Sequence, residues 1–152
     1  MIQAKISFEL KNNFCELGIS FELKNNFCEL GLLCRNLEQF GKSHGLSKKC
    51  KIDLNLVLEE LLTNIISHGY ADEGEHFIQI TISYENGMLV VCIKDDGIPF
   101  NPVTEEAPDI KSPLEEREIG GLGIHLIKQL MDDIVYERVG NRNILTLKKR
   151  IA

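Results

Sequence analysis

Residues 77–94 constrain the fold more than any other stretch. FIQITISY (77–84) alternates strictly and puts Ile78, Ile80, Ile82 and Tyr84 on one face. Asn86-Gly87 follows, a pair that tolerates the positive φ of a two-residue type I′ turn. MLVVCIK (88–94) is the return strand. A hairpin with one apolar face is marginal alone and must bury that face against other elements. Helices able to cover it flank the hairpin. Phe27, Leu30, Leu33, Cys34, Leu37 and Phe40 recur at helical spacing, and Gly41 and Gly45 supply a stop. A second helix is predicted from about Ser47 or Asp53 to His68, with Gly69 as its C-terminal signal. IHLIKQLMD (124–132) reads as a third helix. DIVYERV and NILTLKKRI read as a second hairpin around Gly140-Asn141. The order implies an α+β fold: a two-layer sandwich with helices on one face of a mixed, mainly antiparallel sheet.

One segment is surplus to that plan. ISFELKNNFCELG occupies residues 6–18 and recurs unchanged at 19–31. Without one 13-residue copy the 152 residues shorten to 139. Two copies of so short a period do not make a solenoid. Only the second copy runs on into the first helix. The expected division is therefore an N-terminal segment, 1–18, holding the first copy, and one domain, 19–152.

Charge and cysteines exclude several classes. With 17 Lys+Arg against 23 Asp+Glu the formal charge is −6, so the footprint of a nucleic-acid binder is missing. No apolar run is long enough for a membrane helix, and MIQAKISFEL lacks the features of a signal peptide, so a cytoplasmic location is expected. Five cysteines with no C-x-x-C spacing argue for reduced thiols, not a disulfide frame. The histidines (44, 68, 76, 125) lack metal-ligand spacing.

Three constellations could carry chemistry. Leu54, Val57, Leu58, Leu61, Leu62 and Ile65 fill one face of the second helix, and Glu60, Asn64 and His68 form a row along its edge. Alone, such a row reads as a solvated edge. A carboxylate and an amide oxygen one turn apart also suit Mg²⁺, which takes few protein oxygens and completes its shell with water and phosphate. Asp95-Asp96-Gly97-Ile98-Pro99 directly follows a strand. It reads as a turn, or as a carboxylate that accepts from a ligand amino group beside a glycine that lets the ligand close in. Gly120-Gly121-Leu122-Gly123 opens a helix after an aperiodic, lid-like segment, 101–119. Free N–H groups there could hold phosphate. The cluster is neither a Rossmann fingerprint nor a P-loop.

Taken in order, EELLTNIISHGY (59–70), IKDDGIPFNP (93–102), EREIGGLGIHLIKQLMD (116–132) and NILTLKKR (143–150) resemble the GHKL (Bergerat-fold) ATPases. Within them the chain is similar to the anti-sigma-factor serine-protein kinase branch, of RsbW and SpoIIAB type. The resemblance implies ATP and Mg²⁺ as cofactors. Glu60 would be the general base and Asn64 the Mg²⁺ ligand. Asp95 would accept from the adenine amino group, with room given by Gly97. Gly121 and Gly123 would line the phosphates, Arg117 in the lid would reach them, and Thr146 would support the adenine contact. His68 matches the motif without a chemical step. The implied partners are a STAS-domain anti-anti-sigma protein, phosphorylated on serine, and a sigma factor, with a homodimer as the assembly. Two positions depart from the family pattern, Asn101 where Asp is common and Leu61 where a smaller residue is common.

Two other functions share this fold. One is an ATP-binding switch that acts by protein binding with little kinase activity. The other is the catalytic domain of a histidine kinase, which predicts an upstream phosphoacceptor helix that the sequence does not contain.

Overall fold

A computed structural model describes residues 18–101 and 119–151. Five strands and three helices follow the order β1 (Gly18–Lys24), α1 (Leu30–Ser43), α2 (Lys48–His68), β2 (Phe77–Glu85), β3 (Met88–Asp95), α3 (Ile119–Leu130), β4 (Asp133–Val139) and β5 (Arg142–Arg150). The strands form one sheet in the order β1-β2-β3-β5-β4. Every pairing among the described residues is antiparallel, in keeping with the mainly antiparallel sheet expected from the sequence.

The hairpin that dominates the sequence dominates the sheet. Ile80 pairs with Ile93 and Ile82 with Val91. Asn86 and Gly87 both take positive φ, as a type I′ turn requires. Ile78, Ile80, Ile82, Leu89 and Val91 are completely buried, and the helices cover them with Leu33, Val57, Leu58 and Leu62. Burying each such side chain contributes about 1.5–3 kcal/mol.

β1 is an edge strand built from the second copy of the repeat, with Phe21 opposite Ile80. All of the first copy but its last residue, Gly18, lies outside the described residues. The periodicity placed Phe27 in the first helix, but it is 54% exposed. The Asn26 side chain accepts from the Cys28 N–H at 2.8 Å and starts a short 3-10 turn, Phe27–Glu29, which delays α1 to Leu30. At α2 the Ser47 hydroxyl caps the Cys50 N–H at 3.1 Å, so the helix begins well before Asp53. Among the described residues Cys28, Cys34, Cys50 and Cys92 are free, and no helix is long and apolar enough to cross a membrane.

Candidate functional site

The site runs along one edge of α2. That helix buries its apolar stripe on the sheet and leaves Glu60 and Asn64 half-buried on its margin, with His68 exposed in the last turn. α3 lies against the margin at Glu60. Gly123 is buried there, and a Cβ in its place would collide with the Glu60 carboxylate. The missing side chain is what lets the helix approach the acid so closely. α3 begins at Ile119, before the glycines. Gly120 and Gly121 therefore lie in its first turn, where the reading from sequence had the glycines open the helix, and their N–H groups are among those that a helix start leaves without intrahelical partners, whereas Gly123 lies one turn in.

The other end of the same edge meets the turn after β3. The Gly69 carbonyl accepts from Ile98 N–H at 2.7 Å. A Cβ on Gly97 would strike that carbonyl, so this contact also requires glycine. From Glu60 to Gly69 is about 13 Å along a helix that rises 1.5 Å per residue. A carboxylate at one end and a ligand-sized turn at the other are thus set apart on one rigid element.

Asp95 closes β3 and is only 4% exposed. Its Oδ1 accepts from Gly97 N–H at 2.8 Å and from Asn143 Nδ2 at 2.9 Å. Asn143 stands opposite Asp95 in the β3–β5 register. Its Nδ2 also donates to the Ile98 carbonyl at 2.8 Å, while its Oδ1 accepts from the Tyr136 hydroxyl and from Arg138 Nη1 at 3.1 Å. Arg138 Nη1 further donates to the Gly97 carbonyl at 2.8 Å. The Asp95–Ile98 turn is therefore held from β4 and β5 as well as from α2. Nearby, the Tyr70 hydroxyl is buried with no partner among the described residues. Burial pushes its phenol strongly upward, and the charges of Asp95 and Asp96 add to the shift.

The structure brings Glu60 to Gly123 and Asp95 to Gly97, with Asn64 on the helix edge between. Thr146 does not join them. It pairs with Cys92, an odd number of residues from Asp95 along the ladder, so its side chain faces the other side of the sheet. On the same strand Asn143 is the residue that reaches Asp95, and it was missed from sequence because only the strand register reveals it. Arg117 lies outside the described residues, and Gly121 is placed only as part of α3.

Among the described residues no group of three or more His, Cys, Asp or Glu side chains could hold a metal by itself. Asn64 and Glu60 carry oxygens one turn apart, which fits a Mg²⁺ held mainly by phosphate and water and does not fit a protein-only cage.

Asn143→Ala should lower stability by about 1–3 kcal/mol, because it strands buried partners on both sides. A urea melt checks this, and an unchanged midpoint would mean that the network does not hold the turn.

The profile of the histidine kinase-like ATPase domain matches residues 25–149. The chain is 27% identical over 101 residues to the anti-sigma F factor of Geobacillus kaustophilus, covering 66% of this chain and 69% of that one. It is 27% identical over 116 residues to the serine/threonine-protein kinase BtrW of Bordetella bronchiseptica, covering 76% and 82%. It is 36% identical over 87 residues to the serine-protein kinase RsbW of Bacillus mycoides, covering 54% and 53%.

Proposed function

The chain belongs to the histidine kinase-like ATPase domain family, and from that premise we propose that it is an ATP-dependent serine-protein kinase that acts as an anti-sigma factor. One observation carries the reading: a half-buried carboxylate, Glu60, and a buried, hydrogen-bonded carboxylate, Asp95, stand at opposite ends of one helix edge. Relatives named as anti-sigma F factor and as serine-protein kinases support it.

The residues divide the work by position. Asp95 Oδ1 is occupied by Gly97 and Asn143, which leaves Oδ2 to accept from the adenine amino group. Gly97 lets the base approach. The start of α3, at Gly121, would offer N–H groups to the phosphates, Gly123 would line them without a side chain in the way, and Arg117 would add charge to them. Asn64 would hold Mg²⁺, which when bound neutralises phosphate charge. Glu60 takes the proton of an incoming serine hydroxyl as its oxygen bonds to the γ-phosphorus, and ADP leaves with the bridging oxygen. Little else is asked of the protein, since phosphoryl transfer depends mainly on positioning and charge neutralisation.

The acceptor would be a serine of a STAS-domain anti-anti-sigma protein, and a sigma factor would compete for the same kinase, itself a homodimer. The test is transfer of labelled γ-phosphate from Mg-ATP to candidate STAS proteins. The expected result is one labelled serine, with labelling abolished by EDTA. ATP binding with no labelled STAS protein would instead favour a switch that works by binding alone.

A further inference from the structure

We propose that His76 is a positioning residue for the adenine end of the site: its protonated imidazole clamps the α2–β2 loop to the end of β3, and the neutral ring releases it. The effect on nucleotide rests on the reading of Asp95 given above, whereas the clamp itself can be observed without nucleotide.

The geometry demands a proton on each ring nitrogen. Nδ1 lies 3.1 and 3.3 Å from the two carboxylate oxygens of Asp96, and Nε2 lies 2.9 Å from Asp72 Oδ1. Carboxylates only accept when ionised, and a neutral imidazole has one N–H and one lone pair. A neutral ring would therefore turn a lone pair toward one of the two acids. The imidazolium satisfies both. The ring also stacks on Tyr70, with centroids 4.3 Å apart and planes at 15°, an arrangement that favours a cation.

The groups around the ring come from three elements. Asp72 and Tyr70 belong to the α2–β2 loop, and Asp96 follows β3. Asn25, after β1, is uncharged and fixes the backbone: its Oδ1 accepts from His76 N–H at 2.9 Å, and its own N–H donates to the His76 carbonyl at 3.0 Å. The nearby cation Lys24 is engaged by Glu75 at 3.3 Å. Asp72, by hydrogen bond, and then Asp96 raise His76 above its usual 6.5 against the opposing cost of burial. The bond from His76, followed by the Gly74 N–H, holds Asp72 below the usual carboxylate value of 3.8. The sign follows from linkage. The contribution of His76 is complete below pH 6.5 and is lost as pH rises through its raised value. That of Asp72 is lost only as pH falls through its lowered value. The clamp is closed between those limits.

Its position gives it reach. Loop 69–76 ties to the turn that carries Asp95 at two points, Gly69 to Ile98 and His76 to Asp96. Tyr70, whose hydroxyl has no partner among the described residues, lies between them. Opening the His76 tie leaves the loop one anchor on a turn that β4 and β5 still hold, so the ligand must then order the loop against the turn as it binds, which weakens affinity.

The test uses the full chain. NMR follows the His76 ring and the exchange of the Gly97 and Ile98 amides from about pH 6 to about pH 9, around the range in which histidine titrates. Isothermal titration with Mg-ATP covers the same range, in wild type, His76→Gln and Asp96→Asn. The ring is expected to titrate above its ordinary value and to move down in Asp96→Asn. Protection of the two amides, corrected for intrinsic exchange, should fall about tenfold across that titration, the equivalent of one charge-assisted hydrogen bond. ATP affinity should fall with it, and His76→Gln should be low and flat in both. A ring that titrates at or below the ordinary value would overturn the clamp. So would protection and affinity in His76→Gln that match wild type at every pH. PH-dependent protection with no ATP binding at any pH would sink the nucleotide reading of Asp95, and with it the adenine role of His76, while leaving the tie itself in view.

Discussion

Replacing Glu60 with Gln is expected to leave ATP bound and to slow phosphoryl transfer by about 10²–10⁴-fold, the usual worth of a positioned general base. The amide has nearly the shape of the acid, so the packing of Gly123 on α2 should survive. What disappears is the capacity to take the serine proton. The companion variant Gly123→Ala attacks the same group by another route, since its Cβ would occupy the place of the Glu60 carboxylate. Both should retain nucleotide more nearly than they retain transfer, and the two losses should not add, because each removes the same base. Labelled transfer to the STAS partner, read beside ATP affinity, decides the matter. Transfer unaffected by Glu60→Gln would rule out the base role.

The second large effect concerns Asp95. Asp95→Ala removes an acceptor from a buried network, leaving the Gly97 N–H and one of the two Asn143 Nδ2 hydrogens unpaired while the other stays on the Ile98 carbonyl. ATP affinity should drop about 10–100-fold, the range of one hydrogen bond to a charged group. Asp95→Asn separates binding from structure. The amide oxygen can still accept from Gly97 and Asn143, and the amide nitrogen then faces the ligand. Such a pocket should reject the 6-amino group of adenine and gain affinity for a 6-keto purine. Measured affinities for ATP and ITP in the two proteins test this. An Asp95→Asn protein that still prefers ATP as strongly as wild type would remove Asp95 from base recognition.

Part of this architecture was legible in the sequence because it depends on local periodicity. Ile78, Ile80 and Ile82 alternate, and they line the core. Leu54, Val57, Leu58, Leu61 and Leu62 repeat at helical spacing, and all are buried. Asp95-x-Gly97 stood out as a strand end with an acid and a glycine, and the structure puts both in one hydrogen-bonded turn. What was not legible depends on register and on distant pairing. Asn143 reaches Asp95 only because β5 runs antiparallel to β3 in one alignment, whereas Thr146, a residue of plausible chemistry on the same strand, is turned away by parity. His76 offered no metal-like spacing, and one of its two carboxylates, Asp96, is brought to it only by the sheet. Phe27 fitted the helical period, but the Asn26 cap overrode it.

The place of β1 has a consequence for how such a gene can change. Among the described residues β1 borders the sheet on one side only, pairing with β2, and the first copy of the repeat ends at the residue where β1 begins. A tandem duplication at that point lengthens the chain without parting any two paired strands. The same 13 residues doubled within β3, which is paired on both sides, would have pushed Asp95 out of line with Asn143. Deletion of residues 6–18 should therefore leave the described strands paired as they are, and a thermal melt of that deletion beside the full chain checks it.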